Sequence, residues 1–402
     1  MSHVIVIGAG QAGASCVAKL RSEGFDGQIT LIGKEPALPY QRPPLSKKYL
    51  LGEMDLERLF LRPESFYAQN DITLRLGQSV DQIDTEAQTV SVGSDTLIYD
   101  HLVLATGSDP RRLPASIGGA LGNVFTMRDL ADADAMAHAF ESGKHVLIVG
   151  GGYIGLEAAA VAAAKGLEVT LVEMADRILQ RVAAAETSDF FRDLHSSHGV
   201  GIREGVGLKT LTGDGNVTGA TLSDGSALAV DFVIVGVGIT PGSALAEAAG
   251  VTLNNGIETN AKGQTSIPNI WAAGDCASFP YRGERIRLES VPNAIDQAEV
   301  VAQNILGADK EYVAKPWFWS DQYDVKLQIA GLNAGYDTVI SRKGDANSQS
   351  VWYYKGDTLL AVDAMNAPRD YMIGKRLIEA GKSPGPALIQ DPDTDMKALL
   401  KA

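Results

Sequence analysis

Cysteine is scarce in this chain: only Cys16 and Cys276 occur among 402 residues. They form no CxxC or CxxxxC pair, which excludes a disulfide framework, a zinc site of the usual spacing and a local redox dithiol. Both lie beside Gly/Ala-rich turns and read as small buried packing residues. Long apolar runs are missing too. No uninterrupted stretch is long enough to span a bilayer. No charged segment leads into an apolar run at the start, so neither a signal peptide nor a membrane partner is expected, and a cytoplasmic protein follows. Positive charge is in deficit, with 35 Lys+Arg against 49 Asp+Glu and a formal net charge of -14. That argues against a broad nucleic-acid surface, and any acidic partner has to be met by a local basic patch. With 45% hydrophobic and 21% charged residues the chain is globular and long enough for two or three domains. No metal-ligand cluster is expected.

What the sequence has in quantity is glycine, 43 residues, and part of it is organised as a repeat. Residues 4–13 read VIVIGAGQAG and residues 146–155 read VLIVGGGYIG. Each is a short β-branched run, then G-x-G-x-x-G, then an Ala-rich helical stretch. A second strand follows each helix, ITLIGKE at 29–35 and VTLVEM at 169–174, carrying Glu35 and Glu173. In such a unit Gly8 makes the tight turn, Gly10 lets the backbone approach a pyrophosphate, and Gly13 lets helix and strand pack closely. Gly150, Gly152 and Gly155 repeat the arrangement. The helix N-terminus presents N–H groups and partial positive charge to the phosphates. The acid about 20 residues on accepts hydrogen bonds from an adenosine ribose. One such motif is weak; two with strand, helix, strand and acid in order predict two bound dinucleotides. The first copy usually holds FAD in such chains and the second nicotinamide. Glu173 favours NADH over NADPH, because a carboxylate repels a 2′-phosphate and Met174 and Ala175, not arginines, come next. Arg177, four positions on, weakens that preference, and a surface Glu merely ending a strand is the alternative.

Two further apolar runs, LVLATGSDP (102–110) and FVIVGVGITP (232–241), stop at Gly and then Pro. Such places suit chain crossings between domains. NIWAAGDCA (269–277) is another strand-like run, and ESVPNAIDQAEVVAQNIL carries a helix signal with Pro292 near its start. The reading is one dinucleotide domain at 1–110 and 242–315, a second at 111–241, and a third domain at 316–402. The third opens with WFWSDQYDVKLQIAG, whose alternation suggests antiparallel strands. The end of the chain, DPDTDMKALLKA, reads as an exposed tail or short helix.

PYQRPPLSK (39–47), LATG (104–107), AAGDCA (272–277), ESVPNAIDQA (289–298) and WSDQYD (319–324), together with the two glycine motifs, are distinctive. On these residues the whole chain resembles the FAD-dependent NADH:ferredoxin reductases that serve bacterial cytochromes P450 and ring-hydroxylating dioxygenases, the putidaredoxin reductase type. RPPLSK and WSDQ carry most of the specificity. The resemblance implies an α/β fold of two Rossmann-like, glutathione-reductase-like domains plus a C-terminal α+β domain. It implies FAD and NADH as cofactors and a [2Fe–2S] ferredoxin, acidic and transiently bound, as partner, with a monomer favoured.

The resemblance also implies roles. Gln11 and Ala12 lie in the first glycine motif, and Ala105, Thr106 and Gly107 in LATG, all against FAD. Arg42 and Lys47 lie along the FAD, with Lys47 near the isoalloxazine and paired with Glu157; the alternative is a pair of ordinary polar residues, and for Lys48 the ordinary reading is preferred. Asp275 accepts from the ribityl chain or simply caps a turn. The helix after Val291 aims its N-terminus at the flavin. Trp319 packs near the ring or is a core residue. Val80 and Arg128 match FAD-touching positions. Tyr153 and Ile154 lie in the nicotinamide motif, with Tyr153 either a gate or simple packing. Electrons then pass from NADH to flavin as a hydride and on to the iron–sulfur protein singly. Rivals are an NADH oxidase or disulfide reductase, which need a cysteine that the 39–50 loop lacks, and an NADH-sensing flavoprotein of the apoptosis-inducing-factor type. YRGERIR (281–287), with Arg282, Arg285 and Arg287 against Glu284, is either a docking patch or a solvated hairpin with locally paired arginines.

Overall fold

The structure, a computed structural model, describes residues 2–344 and 347–401. The chain packs as two compact units. One takes the chain up to Arg42, Asp55–Asp109 and Ile239–Pro316; the other takes Pro43–Met54, Pro110–Gly238 and the chain from Trp317 on.

In the first unit the run His3–Ile7 forms the middle of a five-stranded parallel sheet. Its order is Ile270–Ala272, His101–Leu104, His3–Ile7, Gln28–Gly33, Ile72–Leu76. A parallel sheet needs both faces covered, which is why its strands are continuous apolar runs. Alternate residues go to opposite faces. Val4, Val6 and Leu31 pack under the helices Gln11–Ser22 and Val291–Ile305 through Cys16, Val17, Ala298 and Val301. Ile5, Ile7 and Leu104 pack on the other side against Val80, Ile83 and Val90.

The second unit repeats the plan. Its parallel sheet runs Gly201–Glu204, Glu168–Glu173, His145–Val149, Phe232–Val235, Val124–Phe125. It also contains a five-stranded antiparallel sheet in the order Trp317–Gln322, Val325–Gly331, Thr358–Met365, Gln349–Lys355, Thr338–Lys343. Strand alternation splits that sheet. Trp352 and Tyr354 face the helix Pro368–Glu379, while Val351 and Tyr353 enter one apolar core with Leu156, Ala159 and Phe191 of the glycine-motif half. The α/β class with Rossmann-like parallel sheets and an α+β C-terminal part is therefore borne out. The C-terminal sheet shares a core with residues 110–238, and the loop Pro43–Met54 packs in the same unit. No helix among the described residues is long and apolar enough to cross a membrane.

Candidate functional site

The two glycine loops have the same local geometry. Gly8 has φ +114°, and a Cβ there would stand 2.1 Å from the Ala105 carbonyl oxygen. A Cβ on Gly13 would stand 1.9 Å from the Gly8 carbonyl oxygen. Among the described residues nothing lies within 4 Å of the Cβ position at Gly10. The second loop matches: Gly150 has φ +110° and meets the Gly236 carbonyl at 2.4 Å, Gly155 meets the Gly150 carbonyl at 2.1 Å, and Gly152 faces open space. Crowding thus demands glycine at the first and third positions, and an external group is what the open second position accommodates. Gly10 and Gly152 are the N-caps of the helices Gln11–Ser22 and Tyr153–Ala164, and neither helix has a side-chain cap. The N–H groups of Gln11, Ala12, Tyr153 and Ile154 therefore open each helix with donors that the helix itself does not satisfy. This donor set fits two pyrophosphates, those of FAD and of a nicotinamide dinucleotide.

The acids that end the two units are held differently. Glu35 pairs with Arg42 at 2.5 Å and accepts from the Tyr40 hydroxyl. The Arg42 guanidinium also donates to that hydroxyl at 3.1 Å. Among the described residues Glu173 has no cationic partner of this kind: Oε2 accepts the Gly151 N–H at 2.7 Å and Oε1 the Ala175 N–H at 2.8 Å. Arg177 is turned away, donating to the Ala183 carbonyl at 2.8 Å and the Ser188 hydroxyl at 2.5 Å. Met174 is 80% exposed beside Glu173.

The loop PYQRPPLSKKYL folds with Tyr40 bridging Phe60 and with a helical segment, Leu45–Tyr49, that is kinked at Lys47, whose φ -130° and ψ -113° are not helical. Lys47 Nζ lies 3.0 Å from Glu157 Oε1 and 3.4 Å from Asp321. Glu157 is buried, on the helix that the second glycine motif opens. Burial pushes its carboxyl upward in pKa, and the Lys47 charge pulls it back, helped by the Ser320 hydroxyl. A buried carboxylate persists only if paired and hydrogen-bonded, and here Ser320 donates to Oε1 at 2.7 Å and Ser46 to Oε2 at 3.4 Å.

In the first unit Ala105 and Val80 are buried, Thr106 donates to the Gly242 carbonyl at 2.5 Å, and Gly107 takes φ +68°. Asp275 accepts from the Ser108 hydroxyl at 3.1 Å. Val291 opens a helix whose N-cap, Ser290, accepts the Asn293 N–H. In the second unit Arg128 precedes the helix Leu130–Ala137, capped by Asp129. Trp319 is half-buried, its ring centroid 5.6 Å from that of Trp317. The Tyr153 hydroxyl is buried with no hydrogen-bond partner among the described residues. Cys16 is fully buried and burial pushes its thiol up to about 12; burial also raises Cys276. Neither is a poised nucleophile.

YRGERIR forms the hairpin of Ala277–Tyr281 with Glu284–Arg287. Arg285 donates to the Thr259 and Ser278 carbonyls and pairs with Glu258 at 3.4 Å, and Arg287 pairs with Glu289. Of the two sequence readings, the locally paired hairpin describes these side chains. Sequence reasoning missed Ser46, Ser320, Gln322 and His195 around Glu157. The signal available was Ser320 and Gln322 at strand spacing inside WSDQ, two polar residues that a strand puts on one face.

The chain matches the pyridine nucleotide-disulphide oxidoreductase family over residues 2–298 and the reductase C-terminal family over residues 317–400. It is 45% identical over 405 residues to a ferredoxin–NAD(P)(+) reductase of a Sphingomonas species, covering 99% of this chain and 96% of that one. It is 42% identical to rhodocoxin reductase of Rhodococcus erythropolis, covering 99% and 94%. Among solved structures, the covalent putidaredoxin reductase–putidaredoxin complex is similar at a TM-score of 0.96 and 39% identity, covering 100% of this chain and 98% of that one.

Proposed function

Because this chain belongs to the pyridine nucleotide-disulphide oxidoreductase family and carries the reductase C-terminal domain, we propose that it is an FAD-dependent NADH:ferredoxin oxidoreductase serving a P450 or ring-hydroxylating oxygenase. The observation that carries this reading is a pair of dinucleotide cradles in a chain whose two cysteines are both buried and unreactive. Electrons therefore have no thiol through which to leave, which disfavours disulfide reduction despite the family's name. The flavin, when bound, accepts a hydride from NADH and releases single electrons to a [2Fe–2S] centre.

The chain's own residues bind, orient and tune. The first cradle, with Gly8, Gly10, Gln11, Ala12 and Gly13, holds the FAD pyrophosphate, supported by Glu35 and Arg42 at the adenosine end. In the same unit Ala105, Thr106, Gly107, Val80 and Asp275 contact the same cofactor, and the N-terminus of the helix that Val291 opens stabilises negative charge on the ring. Gly150, Gly152, Tyr153, Ile154 and Gly155 hold NADH, and the unneutralised Glu173 rejects a 2′-phosphate. Lys47 and Glu157 fix the electrostatics at the flavin ring. The partner is an acidic ferredoxin bound transiently to a cytoplasmic monomer.

The test is a comparison of electron acceptors. With NADH as donor, the purified yellow protein should reduce a [2Fe–2S] ferredoxin rapidly, and oxygen and small disulfides slowly. Turnover with disulfide or oxygen that outruns ferredoxin would overturn the reading.

A further inference from the structure

Glu157 ends a chain of buried side chains that the proposed function leaves without a role. Ser320 Oγ lies 2.7 Å from Glu157 Oε1, Gln322 Nε2 is 3.1 Å from Ser320 Oγ, and His195 Nε2 is 2.8 Å from Gln322 Oε1. Tyr323 OH is 3.2 Å from His195 Nδ1. Ser320, Gln322 and His195 are essentially inaccessible, at 2%, 0% and 0% exposure. Donor rules fix the direction of every link. The Ser320 proton is committed to the carboxylate, so its oxygen accepts from the Gln322 amide nitrogen. The Gln322 oxygen then faces His195, which must carry its proton on Nε2. Nδ1 is left as the acceptor for Tyr323. Each member donates toward Glu157.

We infer that Ser320, Gln322 and His195 are positioning residues that hold Glu157 ionised against Lys47. Three physical points support this. Burial alone pushes the Glu157 carboxyl upward, and the nearby Asp321 charge adds to that push. Lys47 is the charged group that opposes it, and the Ser320 hydroxyl adds a donor that is held in place at its other end. Burial lowers His195 to about 4, with His198 acting in the same direction, so the imidazole stays neutral and its tautomer constant through ordinary pH. The Tyr323 ring stacks on His198 at 3.7 Å and closes the chain at its outer end.

The consequence for flavin reduction rests on the proposed function, but the decisive readout does not, so the two can fail separately. In the FAD-loaded protein, the Glu157 carboxyl stretch can be assigned by infrared difference against Glu157→Gln and followed with pH. Ser320→Ala and Gln322→Leu should each raise the Glu157 titration by roughly one to two pH units. Ser320→Thr, which restores the hydroxyl, should return it toward its original value. Nitrogen-15 spectra should show His195 as the Nε2–H tautomer at neutral pH. A Glu157 titration unmoved in both Ser320→Ala and Gln322→Leu overturns the proposal, as does failure of Ser320→Thr to restore it or a His195 that is Nδ1-protonated.

Discussion

Among the described residues, the polar interior of the first unit is neutral: Thr30, Ser108, Thr259, Asn293 and Gln297 are buried there. The second unit buries Glu157, His195 and Asp363. Both units are built on the same glycine loop and the same kind of parallel sheet, but the second adds the antiparallel sheet that carries Asp363 and the Ser320 and Gln322 partners of Glu157 and His195. Neutral hydrogen-bonded groups hold a structure together with little dependence on pH, whereas buried ionisable groups couple packing to protonation. Both units carry a dinucleotide cradle, and the second alone also buries carboxyl and imidazole side chains among the described residues.

The glycine loops test how alike the units are, with the largest effect. Gly8→Ala and Gly150→Ala each place a Cβ into a carbonyl at a φ that L-residues avoid, and should each cost about 3 kcal/mol or more in denaturant unfolding. Gly10→Ala and Gly152→Ala add a methyl to open space and should stay within about 1 kcal/mol. Gly10→Ala should instead lower FAD retention, and Gly152→Ala should raise the KM for NADH. Equal stability losses at the first and second glycines would show that no cradle is present.

Asp363 tests the difference between the units. Burial raises its pKa to about 6, although Thr187 and Tyr353 donate to it. The folded chain therefore keeps this proton longer than the unfolded one, whose carboxyl titrates near 4. The stability it contributes is complete below about pH 4 and is lost as pH rises through about 6, amounting to about 3 kcal/mol. Asp363→Asn should flatten that part of the stability–pH curve measured by chemical denaturation. A slope unchanged in Asp363→Asn would place the titration elsewhere.

The terminal acids sharpen the contrast at smaller magnitude. Glu173→Ala should narrow the NADH-over-NADPH ratio of kcat/KM by roughly ten- to a hundredfold. Glu35→Ala should leave that ratio alone and weaken FAD retention, because Arg42 already balances that carboxylate. A ratio that responds to Glu35 and ignores Glu173 would reverse the assignment of the two cradles. The smallest effect belongs to Tyr153→Phe. Its hydroxyl is buried without a partner among the described residues, so removing it should stabilise the protein by about 1 kcal/mol or less in thermal or denaturant unfolding.

The glycine motifs, their following acids and the order of strands and helices were legible because local spacing encodes them. The Lys47–Glu157 contact joins residues far apart in sequence, and it was reached through family resemblance alone. Ser320, Gln322 and His195 stayed hidden for the same physical reason: a hydrogen-bond chain across a packed interior leaves no period in the sequence. The shared core between residues 317–401 and the second glycine unit was hidden as well, since alternation reports that a face is buried and not what buries it. For Arg285 and Arg287 the sequence left two readings open, a docking patch or a locally paired hairpin, because a charge run does not report its partners; carbonyls and carboxylates within the unit engage both side chains.

On the proposed function, electrons enter as a hydride from NADH and leave singly to an iron–sulfur protein without passing through a thiol. An anaerobic titration of the FAD-loaded protein with NADH, in the presence of excess oxidised [2Fe–2S] ferredoxin, tests it directly. Two reduced ferredoxins are expected for each NADH consumed, and the same yield from a Cys16→Ala/Cys276→Ala double variant. A protein that binds no flavin, a reduction that halts before ferredoxin, or a yield lost with the cysteines would contradict it.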